Sequence, residues 1–433
     1  MTAMTLRDVY IVDGARTPFL KAKGKPGVFS ASDLAVDAGK ILLGRQSFSP
    51  DEINEVVIGC VMPSPDEANI GRVIALRLGC GKTVPAWTVQ RNCASGMQAL
   101  DSAAKDIAMG RHDLVLAGGT EAMSRAPLMF NEAYTTWLSG LMSSKGWKDK
   151  LKEWAKFKPA YLKPVITLLR GLNDPLVNLS MGQTAENLAY RFNITRQQMD
   201  QFALESHQQA AAGQDNHHFA EVSSVFATEG NYYIADDGIR RDTSMQKLAS
   251  LRPFFDKKFG SVTAGNSSQV SDGAALLLLA SKEAIKKYRL PVLARITDIQ
   301  WAGVDPAEMG LGPVYATNNL LQRQQLTIDD IDYWEINEAF AAQVLGCLAA
   351  WESDEYCRKN LGLSGALGRI DRIRLNVDGG AVALGHPVGA SGARIVLHLV
   401  QVLRRNNGKK GIATICIGGG QGGAMLIENV SEV

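Results

Sequence analysis

The chain has 433 residues, which is enough for two to three domains or for one large layered unit with a substantial core. Its hydrophobic content of 46%, charged content of 21% and 42 glycines are typical of a soluble α/β protein with many tight turns. The 46 basic residues nearly balance the 44 acidic ones, and the resulting net charge of +2 argues against a general role in nucleic-acid binding.

The first part of the chain alternates apolar, strand-like runs with amphipathic segments of helical spacing. The predicted strands are residues 9–12, 56–61, 86–90 and 113–119, and the predicted helices are residues 34–43 with Ser32 as N-cap, 69–78 and 94–107. Strands that alternate with helices predict parallel pairing, with helices on the faces of the sheet.

This alternation stops between Glu121 and Arg252, where the sequence becomes polar and irregular. Two helices are still predicted there, at residues 181–189 and 198–212, and Thr195 with Gln198 forms a plausible capping box before the second. We interpret this stretch as an inserted loop domain.

The α/β pattern resumes at residues 261–269, continues through the apolar run 274–280 and repeats from Pro291 onward. We therefore predict an N-terminal half formed by residues 1–120 plus 253–290, a loop domain at 121–252 and a C-terminal half at 291–433.

The two predicted halves share an internal repeat. Ala94-Ser-Gly96 opens a helix that is followed by a glycine turn and the strand Val115–Gly119. Ala390-Ser-Gly392 likewise opens a helix, and a glycine turn and the strand Ile415–Gly419 follow it. The shared order of helix, turn, strand and paired glycines indicates a duplicated α/β unit.

The cysteines are few and scattered, at positions 60, 80, 93, 347, 357 and 416. None forms a C-x-x-C pair, which favours free thiols in a reducing compartment, and the Cys and His spacing does not suit a structural zinc site. The first ten residues lack a signal-peptide pattern, and no apolar run approaches the length of a membrane span. We expect a cytoplasmic enzyme.

Cys93 is predicted to lie at or just before the N-terminus of a helix. Free backbone N–H groups and the helix dipole lower the pKa of a thiol at such a position and favour the thiolate. Ser95 and Gly96 are small enough for a substrate to approach the sulfur. The alternative is that Cys93 is a small buried hydrophobic residue.

Three further motifs lie at strand ends or strand-to-helix turns, where open α/β sheets place their ligand sites. Together with Cys93-Ala-Ser95 they are Asn337-Glu-Ala-Phe340, Gly385-His-Pro387 and Cys416-Ile-Gly418. In this order they closely resemble the four active-site signatures of the thiolases. The resemblance covers essentially the whole chain, and it implies a duplicated fold of five layers (helix, sheet, helix, sheet, helix) interrupted by the loop domain.

The resemblance assigns a role to each reactive group. Cys93 would attack a 3-ketoacyl-CoA and become acylated, while His386 would take its proton. Cys416 would be the second acid/base, and the Gly418 N–H would join that of Cys93 as an oxyanion hole. Asn337 would hold a water that polarises the other thioester oxygen with His386. The alternatives are a structural histidine, a packed cysteine and a helix N-cap.

Coenzyme A is implied as co-substrate, with no permanently bound cofactor. The resemblance places Ser268 and the backbone of Ala264 and Gly265 along the pantetheine arm, and it places Met181 and Phe340 near the acyl pocket.

Arg241 and Arg252 are candidates for the phosphate end of coenzyme A, although a loop arginine is often only a solvated charge. The sequence has neither a Walker-type P-loop nor a G-x-G-x-x-G after the first strand, which argues against nucleoside triphosphate or NAD chemistry.

Residues 137–172 hold three of the seven tryptophans and eight basic residues against two acidic ones. This pattern is typical either of a solvated helical face or of a docking surface for an anionic membrane or a β-oxidation partner. Thiolase subunits of fatty-acid oxidation complexes are similarly long in this region.

The resemblance implies thiolytic cleavage of 3-ketoacyl-CoA in β-oxidation by a homodimer or homotetramer. Asn337 replaces a histidine that is frequent in complex-type thiolases, and Ser180 replaces one that is frequent in acetoacetyl-specific enzymes, so the acyl-chain length stays open. The alternatives are a biosynthetic acetoacetyl-CoA thiolase, a decarboxylating ketoacyl synthase, which would need a second active-site histidine, and a non-catalytic lipid-binding paralogue.

Overall fold

The computed structural model describes residues 6–227 and 230–430 of the chain. Its strands are β1 Val9–Arg16, β2 Leu20–Lys21, β3 Glu55–Gly59, β4 Ala86–Val89, β5 Leu114–Ala122, β6 Leu128–Met129, β7 Val165–Ile166, β8 Val225–Phe226, β9 Tyr232–Tyr233, β10 Ser271–Ala280, β11 Ala294–Gly303, β12 Tyr333–Ile336, β13 Lys410–Ile417 and β14 Gln421–Glu428.

The helices alternate with these strands and cover both faces of the sheet. They are α1 Ala31–Gly44, α2 Ile70–Arg77, α3 Ser95–Ala108, α4 Glu132–Ser143, α5 Trp147–Ala155, α6 Thr167–Gly171, α7 Met181–Arg191, α8 Arg196–Asp215, α9 Met245–Ala249, α10 Lys282–Tyr288, α11 Gly312–Gln324, α12 Ala341–Glu352, α13 Asp354–Tyr356, α14 Ala381–Leu384 and α15 Val388–Arg405. No helix in the described part of the chain combines the length and the apolar character needed to cross a bilayer.

The two halves have the same strand order. The first half runs β4-β3-β5-β10-β1 and the second runs β12-β13-β14-β11, with a bridge from Trp334 to Leu375 beyond β12. The halves join where three residues of β1, Val9 to Ile11, pair with β11. The repeat predicted from the sequence is therefore also seen in the order of the strands in the two halves.

The prediction of parallel pairing is confirmed for residues 56–61, 86–90 and 113–119, since β3 pairs in parallel with both β4 and β5, but it is wrong for β1, which pairs antiparallel with β10 and β11. Among the strands named above, within the described residues, the one further parallel pair is β12 with β13. A tight turn of three glycines, Gly418–Gly420, joins β13 directly to β14, and a connection this short permits only antiparallel pairing.

Three hydrophobic clusters divide the molecule into layers. One packs α1 and α2 on the outer face of the first half, and another packs α11 and α12 on the outer face of the second. The third packs α3 and α15 between the two halves, and α15 is buried over nearly its whole length. This arrangement is the predicted succession of helix, sheet, helix, sheet and helix.

The structure places the starts of some predicted helices and strands at other residues. Ser30, and not Ser32, caps α1, because Ser30 and Asp33 bond to each other's backbone N–H in a capping box. Residues 261–269, where the α/β pattern was predicted to resume, contain turns, and the strand that includes the apolar run 274–280 begins at Ser271. The capping box of Thr195 and Gln198 at the start of α8 is confirmed.

Candidate active site

A cavity of about 460 Å³ opens between the two halves and the loop domain. Cys93, His386 and Cys416 all line it, although they come from three different elements. Its volume and its mostly apolar lining suit a small-molecule site in which a few polar groups fix the ligand.

The Cys93 turn is held by a set of short hydrogen bonds. Ser95 Oγ accepts from the Arg91 N–H at 2.9 Å and donates to the Asn92 carbonyl at 2.7 Å. Asn92 has a φ of +43° and donates from Nδ2 to the Gly418 carbonyl at 2.7 Å. The Cys93 turn of the first half is thus tied directly to the β13–β14 turn of the second.

Burial raises the pKa of the Cys93 thiol, while hydrogen bonds from the Gly418 N–H and from its own N–H oppose this effect. The predicted lowering of this pKa is therefore wrong. The helix N-terminus is where it was predicted, since α3 begins at Ser95, but loss of solvent outweighs its effect.

His386 follows Gly385, whose φ of +106° is unfavourable for any residue with a side chain. Its Nδ1 lies 2.6 Å from Ser391 Oγ, and that hydroxyl donates to the Pro387 carbonyl at 3.0 Å. Because the single hydroxyl proton is used on Pro387, Nδ1 must carry the imidazole proton and donate it to Ser391. Nε2 is therefore left as the free base.

The charge state of His386 follows from its surroundings. Burial, with a smaller contribution from the charge of Arg394, lowers the pKa of His386 to about 3. The imidazole of His386 is therefore neutral near pH 7.

Asn337 lies directly after β12, and its Nδ2 is 3.5 Å from His386 Nε2. Its Oδ1 is buried and has no hydrogen-bond partner among the described residues, which is the environment expected of a group that binds a water or a substrate hydrogen. The alternative N-cap role is wrong, because α12 begins four residues later at Ala341.

Sequence reasoning missed the residue that fixes the backbone beside Asn337. Asn376 accepts from the Ile336 N–H at 2.9 Å, donates to the Ile336 carbonyl at 3.0 Å and donates to Glu338 at 2.8 Å. Its φ of +46° agrees with a strained turn, but nothing in the local pattern indicated its partners.

Cys416 lies one residue before the end of β13 and is almost fully buried. Burial, strengthened by the nearby Cys93, raises the pKa of this thiol well above its usual value. Cys416 is thus a thiol that keeps its proton near Cys93.

The expected coenzyme A residues are only partly gathered at the cavity. The lining of the cavity includes four of them: Ala264, Ser268, Met181 and Phe340. Gly265 is next to this wall, and its N–H donates to Thr263 Oγ1 at 3.1 Å.

The arginine expected at the phosphate end lies elsewhere. Arg241 forms two hydrogen bonds of 2.8 Å with Asp215 on the exposed surface, outside the cavity lining. Its neighbour Arg240 and the distant Lys21 line the cavity instead, and Arg252 does not. Sequence reasoning could not separate the two adjacent arginines.

A second branch of about 230 Å³ also reaches Cys93. It shares Cys93 and Met181 with the main cavity, and the loop-domain residues Leu168 and Leu172 line both. The C-terminal end of segment 137–172 is therefore a wall of the site.

A buried ionic network lies outside the cavity lining. His398 on α15 contacts Glu221 at 3.0 Å and Asp378 at 3.1 Å, and Arg16 contacts Glu221 at 3.3 Å. The two carboxylates raise the pKa of His398 to about 9 against the opposing effect of burial. The network joins β1, the loop domain and α15.

Comparison with known proteins gives consistent matches along the chain. The models described as thiolase N-terminal domain and thiolase C-terminal domain match residues 9–283 and 290–429. The chain is 38% identical to the mitochondrial 3-ketoacyl-CoA thiolase of Mus musculus over 98% of this chain and 99% of that protein. It is 37% identical to the 3-ketoacyl-CoA thiolase of Yersinia enterocolitica over 97% and 96% of the two chains.

Solved structures agree with these matches. The human mitochondrial 3-ketoacyl-CoA thiolase in complex with CoA superimposes with a TM-score of 0.83, at 36% identity and 99% coverage of both chains. The acetyl-CoA acetyltransferase of Bacillus anthracis gives a TM-score of 0.84, at 36% identity and with 99% of this chain and 100% of that one covered.

Proposed function

Because this chain belongs to the thiolase family of acyltransferases, we propose that it cleaves 3-ketoacyl-CoA with CoA in fatty-acid β-oxidation. The products are acetyl-CoA and a shortened acyl-CoA, and the reverse condensation uses the same groups. The observation that carries this proposal is the meeting of Cys93, His386 and Cys416 in one cavity.

The first half-reaction transfers the acyl group to the enzyme. Cys93 Sγ attacks the 3-keto carbon and gives its proton to His386 Nε2. The C2–C3 bond then breaks, and Cys416 protonates the departing acetyl-CoA enolate. The raised pKa of the Cys93 thiol and the lowered pKa of His386 support a transfer that occurs with attack, because neither group is ionised at rest.

The second half-reaction releases the acyl group. The CoA thiol gives up its proton to the deprotonated Cys416, attacks the acyl-Cys93 thioester and leaves as the shortened acyl-CoA, while the His386 proton returns to Cys93. The N–H groups of Cys93 and Gly418, which already point at the sulfur, are suited to bind the oxyanion. The unpartnered Oδ1 of Asn337 supports the predicted water beside His386.

CoA is proposed to enter past Ser268 and Ala264, with its phosphates near Lys21 and Arg240. The second branch of the cavity is apolar and offers room for acyl groups longer than acetyl. This room favours the degradative reaction over the acetoacetyl-CoA alternative.

Cys93→Ala tests the proposal. It should abolish both thiolysis of 3-ketoacyl-CoA and the acyl-enzyme burst with acetyl-CoA, whereas Cys80→Ala, a buried thiol outside the cavity, should retain both. A series of 3-ketoacyl-CoA chain lengths measures the preference of the second branch. Turnover by Cys93→Ala at the wild-type rate would refute the assignment.

We also propose a homo-oligomer in a reducing compartment such as the cytoplasm. All six cysteines lie in the described part of the chain and are free thiols. β4 is the last strand of the sheet, and the exposed Trp87 on it supports pairing with a second copy. Light scattering of the wild type and of Thr88→Pro, placed on that strand, tests this arrangement.

The surface of segment 137–172 is proposed to dock on an anionic membrane. Trp147, Leu151 and Trp154 on α5 are strongly exposed among lysines, a combination that suits the lipid interface. Deletion of residues 147–163 should abolish co-sedimentation with anionic vesicles. Unchanged sedimentation would refute the proposal, and loss of binding to a β-oxidation protein alone would favour a protein partner.

A further inference from the structure

Glu121 is a fully buried carboxylate near the end of β5, and no cation among the described residues pairs with it. Its Oε2 accepts from the backbone N–H groups of Val61 at 2.9 Å and Gly389 at 3.1 Å. Its Oε1 accepts from the Met62 N–H at 3.0 Å and from the Cys60 thiol at 3.6 Å. Four donors from two distant parts of the chain thus converge on one side chain.

These donors belong to two walls of the active site. Val61 and Met62 follow β3 and line the second branch of the cavity. Gly389 lies in the first turn of α15, three residues after His386. A Cβ atom on Gly389 would lie 2.3 Å from the Thr120 carbonyl and 2.8 Å from Glu121 Oε2, so only glycine allows this approach.

We propose that Glu121 is a positioning residue for acyl transfer. By binding the turn after β3 to the start of α15, its carboxylate holds the His386 turn of the second half against the Cys93 wall of the first. This inference rests on the proposed thiolase function and extends it to a residue outside the four motifs.

The charge of Glu121 also acts on the nucleophile, because it adds to the effects that raise the pKa of Cys93. Among the described residues, the Cys60 thiol contacts Glu121 and Cys93 is close enough for its pKa to be affected by this charge, while α15 presents a backbone N–H. Burial raises the pKa of Glu121 itself to about 7, although its backbone hydrogen bonds oppose the shift. The carboxylate therefore has a mechanical role and an electrostatic one, and the two can be measured separately.

Glutamine cannot replace this carboxylate. Each oxygen accepts two donors, so the NH₂ of an amide would face two N–H groups, or an N–H and a thiol, in either orientation. Glu121→Gln should therefore shift the two walls apart. Glu121→Asp keeps the charge but is one methylene too short to reach both walls.

The test compares Glu121→Gln and Glu121→Asp with Glu221→Gln, a buried glutamate outside the cavity. Glu121→Gln should lower kcat about 100-fold with KM changed less than about threefold, because a shift of about 1 Å at the reacting atoms has such an effect. Glu221→Gln should lower the melting temperature but leave the kcat of the folded fraction near that of the wild type.

The pH dependence of Cys93 alkylation by iodoacetamide, followed on the Cys93 peptide by mass spectrometry, separates the two roles. The alkylation midpoint should move to lower pH in Glu121→Gln and stay in place in Glu121→Asp, whose kcat should nevertheless fall. A kcat within threefold of wild type in both variants would overturn the inference. Absence of wild-type turnover would refute the proposed function instead, while the alkylation shift would still report on Glu121.

Discussion

Replacement of Ser391 by alanine tests whether the orientation of His386 depends on a single hydroxyl. The hydroxyl accepts from Nδ1 at 2.6 Å, and no other hydrogen bond to Nδ1 is formed within the described residues. A hydrogen bond to a neutral group contributes about 0.5–1.5 kcal/mol and one to a charged group about 1.5–3 kcal/mol. In the proposed mechanism His386 becomes charged only as Cys93 is deprotonated. The substitution therefore removes about 1–2 kcal/mol more stabilisation from the transition state than from the ground state.

This difference corresponds to a fall in kcat of roughly 5–30-fold with a nearly unchanged KM. The assay is steady-state thiolysis of a 3-ketoacyl-CoA at saturating CoA, with the folded fraction measured by circular dichroism. Ser281→Ala is the matched control, because Ser281 is an equally buried serine that caps α10 away from the cavity. A kcat of Ser391→Ala within twofold of wild type, or an equal fall in Ser281→Ala, would refute the reasoning.

Three further outcomes are expected. Arg240→Ala should raise the KM for CoA about tenfold, as expected for loss of a charged contact, while Arg241→Ala should leave this KM unchanged. Equal changes of KM in steady-state kinetics would contradict the different placement of the two side chains. His398 has a raised pKa, so its contribution to the free energy of unfolding should be complete below pH 6.5 and disappear as the pH rises through about 9. Thermal melts of His398→Gln should not show this loss of stability at high pH. An identical pH dependence in wild type and variant would count against the ionic network. Gly385→Ala should reduce kcat at least about 100-fold, because the added Cβ would lie 2.1 Å from Ser271 Oγ and the backbone there has a positive φ. Wild-type activity of this variant would show that the turn can relax.

The placement of Cys93 and Cys416 at one cavity could be predicted because each lies in a short motif with a local structural signal. Cys93 precedes a helix of regular apolar spacing, and Cys416 ends a strand before consecutive glycines. The duplication was visible for the same reason, since Ala94-Ser-Gly96 and Ala390-Ser-Gly392 both open helices of the central layer.

The features that could not be predicted from the sequence depend on contacts between distant segments of the chain. Asn376 and Glu121 act through backbone groups 40 or more residues away, which no local pattern reveals. The sign of the Cys93 pKa shift follows from tertiary burial, so the helix terminus alone predicted the wrong direction. Arg240 and Arg241 are adjacent in the chain, and only the fold shows which of them Asp215 removes from the site.

The central layer has a consequence for how the chain reaches its native state. It is built from one helix of each half, α3 and α15, and these pack against each other beneath both sets of strands. A chain cut between β10 and β11 would leave either fragment with an apolar sheet face covered by only one helix. The two halves should therefore unfold in a single cooperative transition, and co-expressed fragments should become soluble only by assembling with each other.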